Sequence, residues 1–202
     1  YGWLFGFSYF VSNLYWISIS LTFDENFKFL IPFAIIFVPS FLALFYALVA
    51  YLFVVFKPKK NLSSFFLFSL IFGILEFIRG SIFTGFPWNL IAYSFSNKIE
   101  ILNIISIIGT YGFNIFCISL FTSPSIFILS ENRKDIIVCF VLIISTISFY
   151  ILGSQNIEKY KKEQTKDLDF KIRAISSNIN IDRFYNNIDP ISVIKELVKI
   201  SS

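Results

Sequence analysis

The chain has 202 residues, of which 56% are hydrophobic, 20% aromatic and only 15% charged, with a formal charge of +4 and a mean hydropathy of +0.73. Globular domains carry roughly a quarter charged residues, so this composition excludes an ordinary water-soluble domain, and it equally excludes disordered, collagenous and disulfide-scaffold chains. The charge is unevenly placed: 14 charged residues fall in Tyr1–Gln155 and 16 in the remaining 47 residues, which divides the chain into a membrane-embedded block and the beginning of a soluble one.

A bilayer core of about 30 Å needs roughly 20 apolar residues as helix. Five stretches meet or approach that length. The first runs from before Tyr1 to Phe23, uncharged until Asp24, and is too long and too poor in basic flanks for a signal peptide. The second runs Phe29–Phe56, with Pro32 and Pro39 near its beginning. The third runs from about Leu62 to Ile78 and carries Glu76 and then Arg79 in its final turn. The fourth lies within Ile101–Ser130, opened by Gly109-Thr110-Tyr111-Gly112, with Pro124 near its end. The fifth runs from Ile136 to about Leu152.

The short loops set the orientation. Lys57, Lys59 and Lys60 join spans two and three, and Arg133 and Lys134 join spans four and five, whereas the alternate loops hold Lys28, Arg79 and Lys98. The excess of basic residues places the first set in the cytoplasm and everything from Asn156 onward outside. Residues 156–169 read as a polar linker. From Phe170, an alternation through Ile172, Ala174 and Ser176 reads as a strand, Asn178–Asn187 as a loop, and Asp189-Pro190 as the start of an amphipathic helix with Ile191, Ile194, Leu197 and Val198 on one face. One strand and one helix cannot bury a core, so 170–202 is expected to be the start of a larger α/β domain. With no Met anywhere, the chain is also expected to begin inside a longer polypeptide.

The chemistry-bearing residues concentrate around one connection. Glu76 and Arg79 stand at i and i+3, close enough to pair, and an ionisable residue in a spanning helix is a functional-site hypothesis by default. The alternative, an interfacial pair with a purely structural role, stays open. Thr84-Gly85-Phe86-Pro87-Trp88-Asn89 and Tyr93-Ser94 follow. Gly80 and Gly85 permit a turn and Pro87 stops a helix, so a structured re-entrant loop is expected at the outer surface, its aromatic rings at headgroup level. In the opening segment Gly2-Trp3, Gly6-Phe7, Tyr9-Phe10 and Tyr15-Trp16 suit either a lipid-facing groove or plain aromatic packing. Cys117 and Cys139 lie in apolar runs and read as buried hydrophobes. With no His and no clustered ligands, neither a metal nor another cofactor is expected, and nothing indicates nucleic acid.

The run from Glu76 to Ser94 (Glu-x-x-Arg-Gly, Thr-Gly-Phe-Pro-Trp-Asn, Tyr-Ser) resembles the membrane-domain signature of bacterial apolipoprotein N-acyltransferases. The opening aromatic helix, Gly109-Thr110-Tyr111-Gly112 and the loop beginning Asn178-Ile179 are similar to the same family. The resemblance implies a polytopic inner-membrane protein of about five spans here, followed by the first strand and helix of a periplasmic, nitrilase-like αββα domain. It implies transfer of an acyl chain from a phospholipid to the free amino group of a diacylglyceryl-cysteine apolipoprotein, through a thioester on a Cys activated by Glu and Lys. Those three catalytic residues are expected beyond Ser202, and no catalytic residue is assigned within the chain. Glu76, Arg79, Phe86, Trp88, Asn89 and Tyr93 are the expected lipid- or substrate-binding residues, Glu76 and Arg79 bracing the loop. Ser176 and Tyr185 stand where the family pattern has Gln and Trp, so roles at those positions are not carried over. A transporter or channel subunit with a soluble appendage is the competing class, but it predicts internally repeated halves, and no such repeat is seen.

The topology has a direct test. Cysteines introduced near Lys161 should react with an impermeant thiol reagent added from the outer face, and cysteines near Lys59 should not; the opposite pattern overturns the orientation.

Overall fold

The computed structural model describes residues 1–56, 61–82, 85–129, 133–163 and 190–201. Among these the regular structure is helical: α1 (Gly2–Leu14), α2 (Ile17–Ser20), a 3-10 turn at Glu25–Leu30 continuing into α3 (Ile31–Phe56), α4 (Asn61–Ser81), a 3-10 turn at Ile91–Phe95, α5 (Ile99–Leu102), α6 (Ile105–Leu129), α7 (Arg133–Lys162) and α8 (Pro190–Ser201). The expected strand at 170–176, the loop at 178–187, the helix cap Asp189 and the lysines at 57–60 lie outside the described residues.

Among the described residues four helices are long and apolar enough to cross a membrane: Glu25–Phe56, Asn61–Ser81, Ile105–Ile128 and Asp135–Lys162. Together they make a polytopic helical membrane protein. The expected first span differs. Its helix ends at Leu14, after 13 residues, and the chain then advances in tight turns, with Ser18 N–H donating to Tyr15 C=O and Ile19 N–H to Trp16 C=O. Asp24 closes this stretch, its carboxylate accepting from the Asn26 N–H at 2.9 Å, a cap for the 3-10 turn that opens the second span. The last span also departs from expectation. Helix α7 runs through residues 156–162, where the polarity suggested a linker, because Glu158, Lys159, Lys161 and Lys162 are good helix formers and Glu158 precedes Lys162 by four residues.

The bundle is packed inside out relative to a soluble protein. Phe33, Phe37, Tyr51, Val54, Ile128, Ile144 and Ile147 are more than half exposed or nearly so, whereas Ser69, Glu76, Arg79, Asn114, Ser119 and Ser123 are buried. So much exposed apolar surface is stable only against lipid, and the polar groups turn inward because the bilayer cannot satisfy them. The main interior cluster joins Phe10 and Leu14 of α1, Leu42, Tyr46 and Val49 of α3, Ile71, Phe72 and Leu75 of α4, and Ile118 of α6. Helices α6 and α7 pack alongside, with Cys139 of α7 against Phe65 and Ile126.

Helices α1 and α3 pack along a glycine seam. Gly6, Phe10 and Leu14 recur at four-residue spacing and form the buried face of α1. A Cβ placed on Gly6 would come within 2.8 Å of Tyr46 Cβ and 3.1 Å of Ala43 Cα, so the contact exists only because that atom is missing. Small residues at such seams let backbones meet where no hydrophobic effect drives helices together. Gly6→Val is therefore expected to lower stability by about 1–3 kcal/mol, the usual cost of overpacking, as measured by reversible unfolding in detergent or by steric trapping in bilayers. The same change at the exposed neighbour Phe5 should cost less; equal effects would contradict the packing.

Candidate functional site

Helix α4 carries the only oppositely charged pair buried in the described part of the bundle. Glu76 and Arg79 are each 1% exposed, and Arg79 Nη2 donates to Glu76 Oε1 at 3.0 Å. A paired charge in a low-dielectric interior is tolerated only when its remaining lone pairs and protons also find partners. For the carboxylate, partners come from two neighbouring helices. Tyr46 of α3 donates its hydroxyl to Glu76 Oε1 at 3.0 Å, and Asn114 of α6 donates Nδ2–H to Glu76 Oε2 at 2.9 Å. The carboxylate is thereby the point where α3, α4 and α6 are tied together.

The guanidinium reaches the other way, into the connection that follows α4. Its Nη1 donates to the backbone carbonyls of Phe86 at 2.9 Å and Trp88 at 3.0 Å, and its Cζ lies 5.2 Å from the centroid of the Phe10 ring. The chain can fold back to meet it because Gly85 takes φ 80° and Asn89 φ 61°. These are left-handed conformations that Gly adopts freely and Asn tolerates better than most residues. Gly85 N–H closes a turn on Ile82 C=O at 2.9 Å, and Phe86 N–H donates to Arg79 C=O at 3.2 Å. Two further bonds fix the far limb: Tyr9 of α1 donates its hydroxyl to Asn89 C=O at 3.0 Å, and Ala92 N–H donates to Asn114 Oδ1 at 2.9 Å. Leu90 and Ala92 are consequently buried. The connection re-enters the bundle, as its sequence suggests; Phe83 and Thr84 lie outside the described residues.

The held loop forms one wall of a cavity of about 680 Å³. Trp88, Asn89, Tyr93 and Ser94 of the loop face Tyr9, Asn13 and Trp16 of the opening segment across it. Trp16 and Trp88 meet edge to face with centroids 6.1 Å apart, and both remain substantially exposed, as does Tyr93. The cavity offers rings, hydroxyls and carboxamides but no charged side chain, a lining that suits an amphipathic ligand by apolar contact and neutral hydrogen bonds. It contains no nucleophile paired with a base. Cys117 and Cys139 are free and buried, and Cys139 Sγ lies 3.4 Å from the Ser123 carbonyl oxygen. No metal-binding cluster occurs among the described residues.

The six expected site residues thus separate into three groups. Trp88, Asn89 and Tyr93 line the large cavity. Glu76 and Arg79 sit behind the loop, in contact with protein groups. Phe86 faces a different, smaller cavity on the α3 side. Sequence reasoning missed Tyr46, Asn114 and Asn13. Asn114 carried a usable signal, being the only amide or charged side chain between Ile105 and Leu129.

Comparison with known proteins places the chain in a family. The family model described as Apolipoprotein N-acyltransferase N-terminal domain matches residues 1–122. The chain is 33% identical over 181 residues to an apolipoprotein N-acyltransferase of Rickettsia prowazekii, covering 89% of this chain and 35% of the relative. A Rickettsia bellii protein of the same name is 32% identical over 179 residues, covering 88% and 35%, and one from Brucella melitensis is 37% identical over 126 residues, covering 62% and 24%. The chain therefore spans about a quarter to a third of the length of these relatives. No solved structure matches it. With more than half of its residues matched by the family model, this chain belongs to the apolipoprotein N-acyltransferase family.

Proposed function

We propose that this chain is the membrane-embedded part of an enzyme that moves an acyl chain from a phospholipid to the N-terminal amino group of a diacylglyceryl-cysteine apolipoprotein. In this reading the protein resides in the inner membrane, and residues 170–202 begin a periplasmic nitrilase-like domain. A thiolate supplied by that domain attacks the phospholipid ester carbonyl, a lysophospholipid leaves, and an enzyme thioester forms. The lipoprotein amine then attacks the thioester, an amide bond forms and the thiol is regenerated. The chemical groups, Cys with Glu and Lys, are expected beyond Ser202.

The membrane part contributes position. The observation that carries this reading is the loop clamped by Arg79, which presents Trp88, Asn89 and Tyr93 to an uncharged cavity of about 680 Å³. Both substrates bring acyl chains and neutral ester or amide groups, which match rings, hydroxyls and carboxamides. Holding a chain there fixes the reacting carbonyl against the catalytic domain, and such positioning accounts for several kcal/mol of an enzyme's barrier reduction.

The test is Trp88→Ala in the intact enzyme. Its side chain is exposed and only its backbone carbonyl takes part in the clamp, so the substitution should leave the amount of folded protein in the membrane nearly unchanged. Acyl transfer from a labelled phospholipid should slow by about tenfold or more, the equivalent of ~1.4 kcal/mol of lost transition-state stabilisation. A loss of activity that simply tracks loss of folded protein would contradict the proposed role.

A further inference from the structure

A second cavity, of about 350 Å³, lies between the α3 side of the bundle and the re-entrant loop and shares no lining residue with the Trp88 cavity. Its walls are Phe37, Phe41, Leu42 and Phe45 of α3, with Ile82 and Phe86 from the start of the loop. Arg79 is the one polar side chain in the lining. Its Nη atoms are engaged by Glu76 and the loop carbonyls, but its buried Nε has no hydrogen-bond partner among the described residues. We propose that this groove is a second lipid site, holding one acyl chain of a bilayer phospholipid whose ester carbonyl oxygen accepts the Arg79 Nε–H.

Three features select that occupant. Glu76 already balances the guanidinium charge, so the groove asks for one neutral acceptor and not for an anion; a carbonyl fits and a phosphate does not. The walls are otherwise aromatic and aliphatic, and Phe37, Phe41 and Ile82 are exposed on the lateral surface, where a chain can enter from the bilayer without crossing water. The depth is also right. Arg79 stands eighteen residues after Asn61 on α4, about 27 Å along a helix rising 1.5 Å per residue, which brings it to the far boundary of a hydrocarbon core about 30 Å thick. Ester carbonyls of phospholipids lie at that boundary. The assignment requires only that α3 and α4 span the bilayer, and it stands or falls independently of the acyl-transfer reading.

The experiment uses the protein in lipid nanodiscs doped with a phospholipid carrying a diazirine in its acyl chain near the glycerol, either as the diester or as the matched diether, which lacks the carbonyl. Cross-linked peptides are mapped by mass spectrometry. The diester should label the segments containing Phe41, Phe45 and Phe86 about fivefold or more over the diether. Val38→Trp, which fills the groove from a position outside the Glu76–Arg79 cluster, should reduce diester labelling there by a similar factor while labelling near Tyr93 persists. Equal labelling of native protein by the two lipids would overturn the carbonyl assignment, whatever the fate of the variant. Undiminished labelling in folded Val38→Trp would overturn the groove.

Discussion

Glu76 and Arg79 stand one helical turn apart near the end of α4, and neither reaches water. Inside a bilayer-spanning bundle each would be costly alone, and together they still need acceptors and donors for what the ion pair leaves over. The sequence meets most of that demand with four groups, Tyr46 from α3, Asn114 from α6, and the carbonyls of Phe86 and Trp88 from the connecting loop, and leaves the Arg79 Nε–H over. Satisfying one buried pair thus fixes the mutual placement of three helices and the course of the segment that follows them. The loop is ordered because its carbonyls are the only outlet for two guanidinium protons, and Asn114 extends the same logic by accepting from Ala92 N–H with the oxygen that the carboxylate does not use.

What the loop then displays follows from this constraint. Its backbone faces the charged cluster, so its side chains turn away, Trp88 and Tyr93 into the larger cavity and Phe86 into the smaller one. Helix α1 supplies the opposite wall of the larger cavity, and it can lie close enough only because Gly6 lets it settle against Ala43 and Tyr46. Tyr46 therefore does two jobs, packing beneath α1 and donating to Glu76. The outer belt of exposed Phe and Ile side chains faces lipid, with ring contacts such as Phe33–Phe37 within it.

The sequence makes part of this readable. The apolar runs locate three of the spans, and the start of the last, to within a few residues, because a helix in lipid must be apolar for a fixed length. The Glu76–Ser94 segment announces itself through charge, Gly, Pro and Trp crowded into one short stretch. The end of the opening span is not legible, since hydropathy counts residues and does not see that α1 stops at Leu14 and continues as tight turns. Residues 156–162 look like linker by polarity yet extend α7, because polarity alone does not end a helix whose residues have good helical propensity. Tyr46 is hidden for another reason: one of three hydroxyls in a Phe-rich helix has no local signature, and its partner lies thirty residues away. The division of Phe86 from Trp88 depends on the left-handed turns at Gly85 and Asn89, which spacing suggests but does not orient.

The central claim is that the buried pair, acting through Arg79, orders the re-entrant loop. Hydrogen–deuterium exchange of Arg79→Gln against the native protein in nanodiscs tests it most directly. Hydrogen bonds from a charged donor contribute roughly 1.5–3 kcal/mol each, and Arg79 makes two to the loop. Amides between Phe86 and Phe95, Ala92 included, should therefore exchange about tenfold faster or more, while those of α3 between Ala43 and Val49 keep most of their protection. Unchanged protection of the loop, or an equal rise throughout the bundle, would contradict the account.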